Sequence, residues 1–140
     1  MLNFNTKQNN ILHLSWLAFF FSFIAWFNMA PFNTTLIRTV GLNQEQINIL
    51  MLCNVALTIP ARIIIGIWVD YFGARKVFSS LLIFSSGVCF YFASGKTFEE
   101  LLIARLLMGI VGAGFVVGIK MISDYFPPKQ MGLAQGIYAG

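Results

Sequence analysis

The sequence predicts an all-α polytopic membrane protein, and two observations lead to that fold class. First, 58% of its 140 residues are hydrophobic, only 10% are charged, and the mean hydropathy is +0.77. A soluble domain carries about 25% charged residues, so this chain lacks the charged shell that water requires. Second, the hydrophobic residues form long unbroken runs, each near the ~20 residues with which an α-helix crosses a bilayer.

The first run, residues 11–32, predicts the first transmembrane helix. It is longer than the apolar segment of a signal peptide, and no small-residue cleavage site follows it. Further runs predict helices at about 46–69, 77–94 and 99–123, and a fifth begins near Met131. Pro127 and Pro128 cannot continue a helix, so they mark the end of the fourth.

The charges of the connectors predict that the N-terminus lies in the cytoplasm. Cytoplasmic loops carry an excess of Lys and Arg, and this orientation places five such residues inside and two outside. The inner residues are Lys7, Arg75, Lys76, Lys120 and Lys129, and the outer ones are Arg38 and Lys96. Because these residues are scattered singly, they do not favour a surface that binds nucleic acid.

Signals for an enzyme are missing from the sequence. It contains no Ser/His/Asp set, no cluster of metal-ligand type and no phosphate-binding loop. Cys53 and Cys89 lie in apolar runs and are expected to be small buried hydrophobic residues. We therefore expect neither catalysis, nor a metal, nor a cofactor.

Arg62 stands inside an apolar run, where a charge at the bilayer centre costs about 2.5–3.5 kcal/mol. It precedes Asp70, at the end of that run, by eight residues, which is a depth of ~12 Å in a helix. No acidic residue lies in the apolar part of any predicted span. We predict that Arg62 faces a polar cavity and binds an anion there, because its planar fork of donors suits an oxyanion. The alternative is a structural arginine paired with helix carbonyls or with a neighbouring carboxylate.

The fourth predicted helix contains a second arginine and a track of small residues. Arg105 is either structural, as one member of a pair or as a snorkelling residue, or takes part in coupling or gating. The small residues are Gly109, Gly112, Gly114 and Gly118. Such tracks let helices approach closely in membranes, so we predict a packing role for them.

Two motifs resemble those of the major facilitator superfamily. The stretch "GIWVDYFGARK" fills the superfamily's G-x-x-x-D-x-x-G-x-R-K loop between the second and third helices, and "RLLMGIVGAG" is similar to its fourth-helix R-x-x-x-G-x-x-G pattern. The matching loop residues are Gly66, Asp70, Gly73, Arg75 and Lys76, and those of the fourth helix are Arg105, Gly109 and Gly112. The resemblance implies that Asp70, Arg75 and Lys76 lock the cytoplasmic face in one conformation.

Within that superfamily the chain is similar to the nitrate/nitrite porter family over residues 16–140. The similarity rests on the spacing from Arg62 to the loop, on "FIAWFNMAPF", and on "GAGFVVGIKMISDYFPPKQMGLAQGIYAG". It implies that Arg62 binds the anion and that Phe115 flanks it. It also implies that aromatic residues of the first helix line the cavity, with Phe23 and Trp26 as candidates.

The same resemblance implies twelve helices in two six-helix halves, of which residues 1–140 are an incomplete N-terminal half. We expect nitrate or nitrite transport across the inner membrane, with the lipid bilayer, the anion and the missing C-terminal helices, in the same chain or a separate one, as partners. Alternating access needs two halves, so the chain alone is expected to be inactive. The absence of a membrane-embedded carboxylate favours exchange over proton coupling. Two alternatives stay open: a transporter fragment for another small anion or organic acid, and a non-transporting scaffold or relic of a split gene.

Overall fold

The computed structural model describes residues 5–139, which form helices joined by short connectors. The first span consists of α1 (Thr6–Trp26), a 3₁₀ turn (Ala30–Phe32) and α2 (Asn33–Thr39). The others are α3 (Gln44–Ala56) with α4 (Thr58–Phe72), then α5 (Ala74–Ser94), then α6 (Phe98–Val111) with α7 (Gly114–Tyr125), and α8 (Pro128–Ala139) follows. Within the described residues, the first four spans are long and apolar enough to cross a membrane. The predicted all-α polytopic membrane fold is therefore confirmed.

Three of the spans are interrupted where the sequence analysis predicted continuous helices. The first helix ends at Trp26 rather than near residue 32, and Pro31 lies in the 3₁₀ turn that follows. The second span breaks at Leu57 because Pro60 lacks the N–H that would bond to the carbonyl of Ala56. The fourth breaks at residues 112–113, within a glycine-rich stretch of low helix propensity.

Local signals fix where two of the helices begin. Thr97 caps α6, because its hydroxyl accepts from the Glu100 N–H and the Glu100 carboxylate accepts from the Thr97 N–H. Gly73 alone joins α4 to α5, with a φ of +85° that favours glycine. The loop motif, residues 66–76, therefore consists of the C-terminal part of α4, the single connecting residue Gly73 and the first turn of α5.

The helices pack as a bundle with an apolar exterior. α6 packs against α3 and α5, and α1 packs against α7 and α8. One core cluster joins α4, α5 and α7 and includes Ala61, Ile65, Phe78, Leu81 and Val117. Large apolar side chains also cover the outside, where Ile83 is 76% and Phe90 is 74% exposed. This exterior is suited to lipid.

The small residues of the fourth span allow close helix approach. A Cβ atom on Gly109 would lie 2.6 Å from the Asn54 main-chain oxygen, and one on Gly112 would lie 2.8 Å from Thr58 Cγ2. A Cβ on Gly118 would collide with the ring of Tyr138. At Gly114 a Cβ would make only ordinary contacts. The packing role predicted for this track matches the geometry at Gly109, Gly112 and Gly118.

Candidate functional site

The three helix interruptions meet at a polar cluster that we call the helix-break junction, formed by Trp26, Asn54, Thr58, Arg105 and Gly109. The main-chain oxygen of Trp26 accepts from Asn54 Nδ2 at 3.2 Å. Thr58 Oγ1 lies 2.8 Å from the Gly109 oxygen and 2.9 Å from the Asn54 oxygen. Its one proton serves one acceptor at a time. The bond from Asn54 gives the Trp26 oxygen a donor at the end of α1, and Thr58 joins the second span to the Gly109 oxygen, which also accepts from the Gly112 N–H at 3.2 Å.

Arg105 completes the helix-break junction as a buried, paired arginine. It is only 4% exposed, and its Nη1 donates to Asn28 Oδ1 at 3.0 Å. Both Nη atoms also lie 3.4 Å from the Trp26 main-chain oxygen, and the guanidinium stands 5.9 Å from the centre of the Phe92 ring. Of the two interpretations of Arg105, this geometry favours the structural pair.

Next to the helix-break junction lies a cavity of about 450 Å³ that we call the aromatic cavity. One wall is a stripe of α1 side chains, and the other walls come from α4, from the α6–α7 break and from α8. Its lining residues are Trp16, Phe19, Phe20, Ser22, Phe23, Trp26, Arg62, Val111, Gly112, Phe115, Tyr138 and Ala139. Arg62 is the one charged residue among them.

Arg62 differs from Arg105 in its exposure and in its lack of protein partners, the two properties that decide whether it can bind a ligand. Its side chain is exposed, and it forms no hydrogen bond or ion pair with any residue in the range 5–139. It stands near the start of α4, which places it beside the aromatic rings. All five guanidinium N–H donors are therefore open to a ligand.

The rings around the aromatic cavity pack against one another. The centroid of the Phe19 ring lies 4.9 Å from that of Tyr138 and 5.8 Å from that of Phe115. Phe23 and Trp26 are 6.0 Å apart, centroid to centroid. The Tyr138 hydroxyl donates to the Gly114 main-chain oxygen at 3.2 Å, so it is not free for a ligand. Tilted rings of this kind present flat faces and edges, which suit a small planar group beside the guanidinium.

The structure brings together the four residues that the sequence indicated as anion-binding candidates. Arg62, Phe115, Phe23 and Trp26 all line the aromatic cavity. The sequence analysis missed Trp16, Phe19, Phe20 and Tyr138. Three of these had a detectable signal, because positions 16, 19, 20, 23 and 26 follow the spacing of one helix face. Tyr138 had none, since its position depends on how α8 packs against α7.

An ion pair joins the loop motif to α7. Asp70 lies 3.7 Å from Lys120 of α7, and Lys120 also lies 3.5 Å from Asp124. Lys120 thus bridges two carboxylates. Arg75 and Lys76 are exposed and form no ion pair within the described residues. A Cβ on Gly66 would meet nothing within 4 Å, so Gly66 has no packing partner here.

The chain is similar to one known family and to several known transporters. The sequence model of the Major Facilitator Superfamily matches residues 15–140. The "Nitrate/nitrite transporter NrtP" of Picosynechococcus sp. is 52% identical over all 140 residues, and its namesake from Nostoc punctiforme is 55% identical over 135 residues. The "Probable nitrate/nitrite antiporter NarK1" of Thermus thermophilus is 34% identical over 131 residues.

These relatives are much longer than the chain. The matched region covers 100%, 96% and 91% of the chain, but only 26%, 27% and 29% of the respective relatives. No solved structure matches the chain. The resemblance to nitrate/nitrite porters is thus confirmed for a segment that spans about a quarter of their length.

Proposed function

The chain belongs to the Major Facilitator Superfamily, and from this premise we propose that it is the N-terminal part of a nitrate/nitrite transporter. The complete transporter would work by alternating access of two helical halves around a central site. The aromatic cavity would be the N-terminal wall of that site. Residues 1–140 would then be an incomplete first half, and the C-terminal helices, in the same chain or a separate one, would supply the second wall.

One observation carries the proposal: Arg62 is an unpaired guanidinium beside aromatic rings in a membrane-spanning helix. A membrane-embedded charge without a partner is costly, so an unpaired arginine at this depth indicates a ligand. Nitrate and nitrite are small planar anions. A guanidinium binds such oxygens with two parallel N–H donors, and the faces and edges of Phe23, Trp26 and Phe115 would restrict the anion to a flat orientation.

The composition of the aromatic cavity supports exchange rather than proton coupling. None of the described residues that line it is a carboxylic acid, so this wall offers no group to carry a proton at neutral pH. In an exchanger the outgoing anion neutralises Arg62 until the incoming anion replaces it. The C-terminal half would need to supply any proton-carrying residue.

The proposed setting is the inner membrane, with the N-terminus in the cytoplasm. The multi-pass character rests on the four apolar spans. The orientation rests on the excess of Lys and Arg on the side that would be cytoplasmic. In this orientation the Asp70–Lys120 pair lies at the inner surface, where the loop residues Gly73, Arg75 and Lys76 also lie.

The decisive experiment measures nitrate uptake by a complete transporter that carries this chain as its N-terminal part. Arg62→Ala should abolish saturable uptake of nitrate and nitrite while leaving membrane insertion intact. Arg62→Lys should keep the charge but lose the bidentate fork, so affinity should fall at least tenfold. Arg38→Ala, on the exposed surface of α2, is the matched control and should transport normally.

Three results would overturn the proposal. Saturable nitrate uptake by the Arg62→Ala protein would show that Arg62 does not bind the transported anion. Uptake that is displaced by organic acids but not by nitrite would favour the alternative, a transporter for another anion. A complete gene product that binds no anion at all would favour the scaffold or relic of a split gene.

A further inference from the structure

A second cavity, of about 810 Å³, lies on the outside of the bundle between α4 and α5. We call it the α4–α5 groove. Its α4 wall runs from Leu57 to Phe72 with the spacing of one helix face, and this length is ~22 Å at 1.5 Å per residue. Half the hydrocarbon thickness of a bilayer is ~15 Å. The groove is thus long enough to hold the full depth of one lipid leaflet.

The groove has one charged end and an apolar body. Ile64, Trp68 and Phe84 are among the apolar residues that line it, and Lys76 is the one charged residue in the described part of its lining. Ser80 also lines it, but its hydroxyl already donates to the Lys76 main-chain oxygen at 2.9 Å. A ligand that fits this arrangement has a long apolar part and an anionic head.

The charge of Lys76 is free for such a head. The nearest acidic residue in the sequence, Asp70, pairs with Lys120 of α7 instead. Lys76 has no ion pair among the described residues, and the first turn of α5 contains no acidic residue. Within residues 5–139, the positive charge of Lys76 therefore has no acidic partner.

An acyl chain suits the groove because the groove is mostly apolar and its α4 wall is at least as long as a leaflet is deep. A row of methylene groups can enter the full length of this space. Trp68, which is 51% exposed, lines it beside the charged end.

We propose that the α4–α5 groove binds an anionic phospholipid, with an acyl chain along the α4 wall and the phosphate at Lys76. The bound lipid would fill the space between the helix that carries Arg62 and its neighbour. This site lies on a different surface from the aromatic cavity, with which it shares no lining residue. The proposal therefore does not depend on which anion the complete protein transports.

The test uses quenching of Trp68 fluorescence by phospholipids with acyl chains brominated at mid-chain. The chain is reconstituted in vesicles of phosphatidylcholine and phosphatidylglycerol, with bromine on one lipid or the other. The Trp68 signal is the difference between the unmodified chain and its Trp68→Phe variant, which leaves Trp16 and Trp26 in place. Far-UV circular dichroism checks that each variant is equally helical.

We expect phosphatidylglycerol to be preferred over phosphatidylcholine about fivefold at Trp68, which corresponds to one favourable Lys–lipid contact. Lys76→Gln should reduce the preference to near one. Arg75→Gln is the matched control, because it removes the same charge from the adjacent residue, which does not line the groove. It should keep most of the preference.

Three outcomes would each overturn the proposal. One is equal quenching by the two lipids in the unmodified chain. Another is an equal loss of preference in Lys76→Gln and Arg75→Gln, which would indicate general attraction to the surface. The third is protection of Trp68 from both brominated lipids, which would mean that protein and not lipid fills the groove.

Discussion

Arg105 donates from both of its Nη atoms to the main-chain oxygen of Trp26, at 3.4 Å each, at the residue where the first helix ends. The oxygen belongs to the last turn of α1 and has no helical partner of its own. Asn54 supplies a third donor to the same oxygen, at 3.2 Å. The fourth and second spans thus hold the end of the first, and the indole of Trp26 beyond it lines the aromatic cavity.

The first prediction concerns the stability contributed by Arg105. Arg105→Met keeps the length of the side chain but leaves the Trp26 and Asn28 oxygens with fewer donors. We expect the free energy of unfolding to fall by about 1–3 kcal/mol, the usual cost of unpaired buried polar groups. Arg62→Met makes the same chemical change at an arginine with no partner. It should change stability by less than about 0.5 kcal/mol.

Denaturation of both variants in detergent, followed by circular dichroism, measures this difference. If Arg62→Met were the more destabilising of the two, the assignment of a structural role to Arg105 and a ligand role to Arg62 would be reversed.

Much of the fold could be predicted from hydropathy alone, because each span must match the thickness of the hydrocarbon. Arg62, Phe23, Trp26 and Phe115 were indicated by the residue types and by the family resemblance, and they line one cavity. The break at Leu57 had a local signal in Pro60. The contact of Arg105 with Trp26 had none, because it joins residues that are 79 positions apart and depends on how the helices pack.

The second prediction tests the close approach of the second and fourth spans. A Cβ on Gly109 would lie 2.6 Å from the Asn54 main-chain oxygen, which cannot move without displacing its helix. Gly109→Ala should therefore destabilise the protein by about 1–3 kcal/mol. At Gly87, within α5, a Cβ would meet nothing within 4 Å. Gly87→Ala should stabilise by about 0.5–1 kcal/mol through its higher helix propensity.

The measurement is again denaturation in detergent, with the two alanine variants side by side. Equal effects of the two substitutions would contradict the close packing of Gly109 against Asn54.

The third prediction concerns the fit of Tyr138 against Gly118. A Cβ on Gly118 would collide with the Tyr138 ring, so Gly118→Ala should displace α8 and lower stability. Tyr138→Ala removes the ring and should cost about 3–5 kcal/mol. In the double variant the added methyl meets no ring, so the two effects should not add.

A double-mutant cycle measures this coupling. The Tyr138→Phe variant separates the contribution of the ring to stability from that of the hydroxyl. Loss of the bond to the Gly114 oxygen alone should cost about 0.5–1.5 kcal/mol. Strict additivity of Gly118→Ala and Tyr138→Ala would show that the ring does not pack on Gly118.

The last prediction separates stability from conformational control at the loop motif. Asp70 and Lys120 are 71% and 46% exposed in their side chains, so water screens their attraction. A double-mutant cycle of Asp70→Asn and Lys120→Met should give a coupling below about 1 kcal/mol that falls further at high salt. In a complete transporter, however, the pair would join the C-terminal end of α4 to α7, and α4 carries Arg62. Asp70→Asn should therefore slow nitrate uptake much more than it lowers stability. Uptake at the unmodified rate by this variant would show that the pair does not control the conformational cycle.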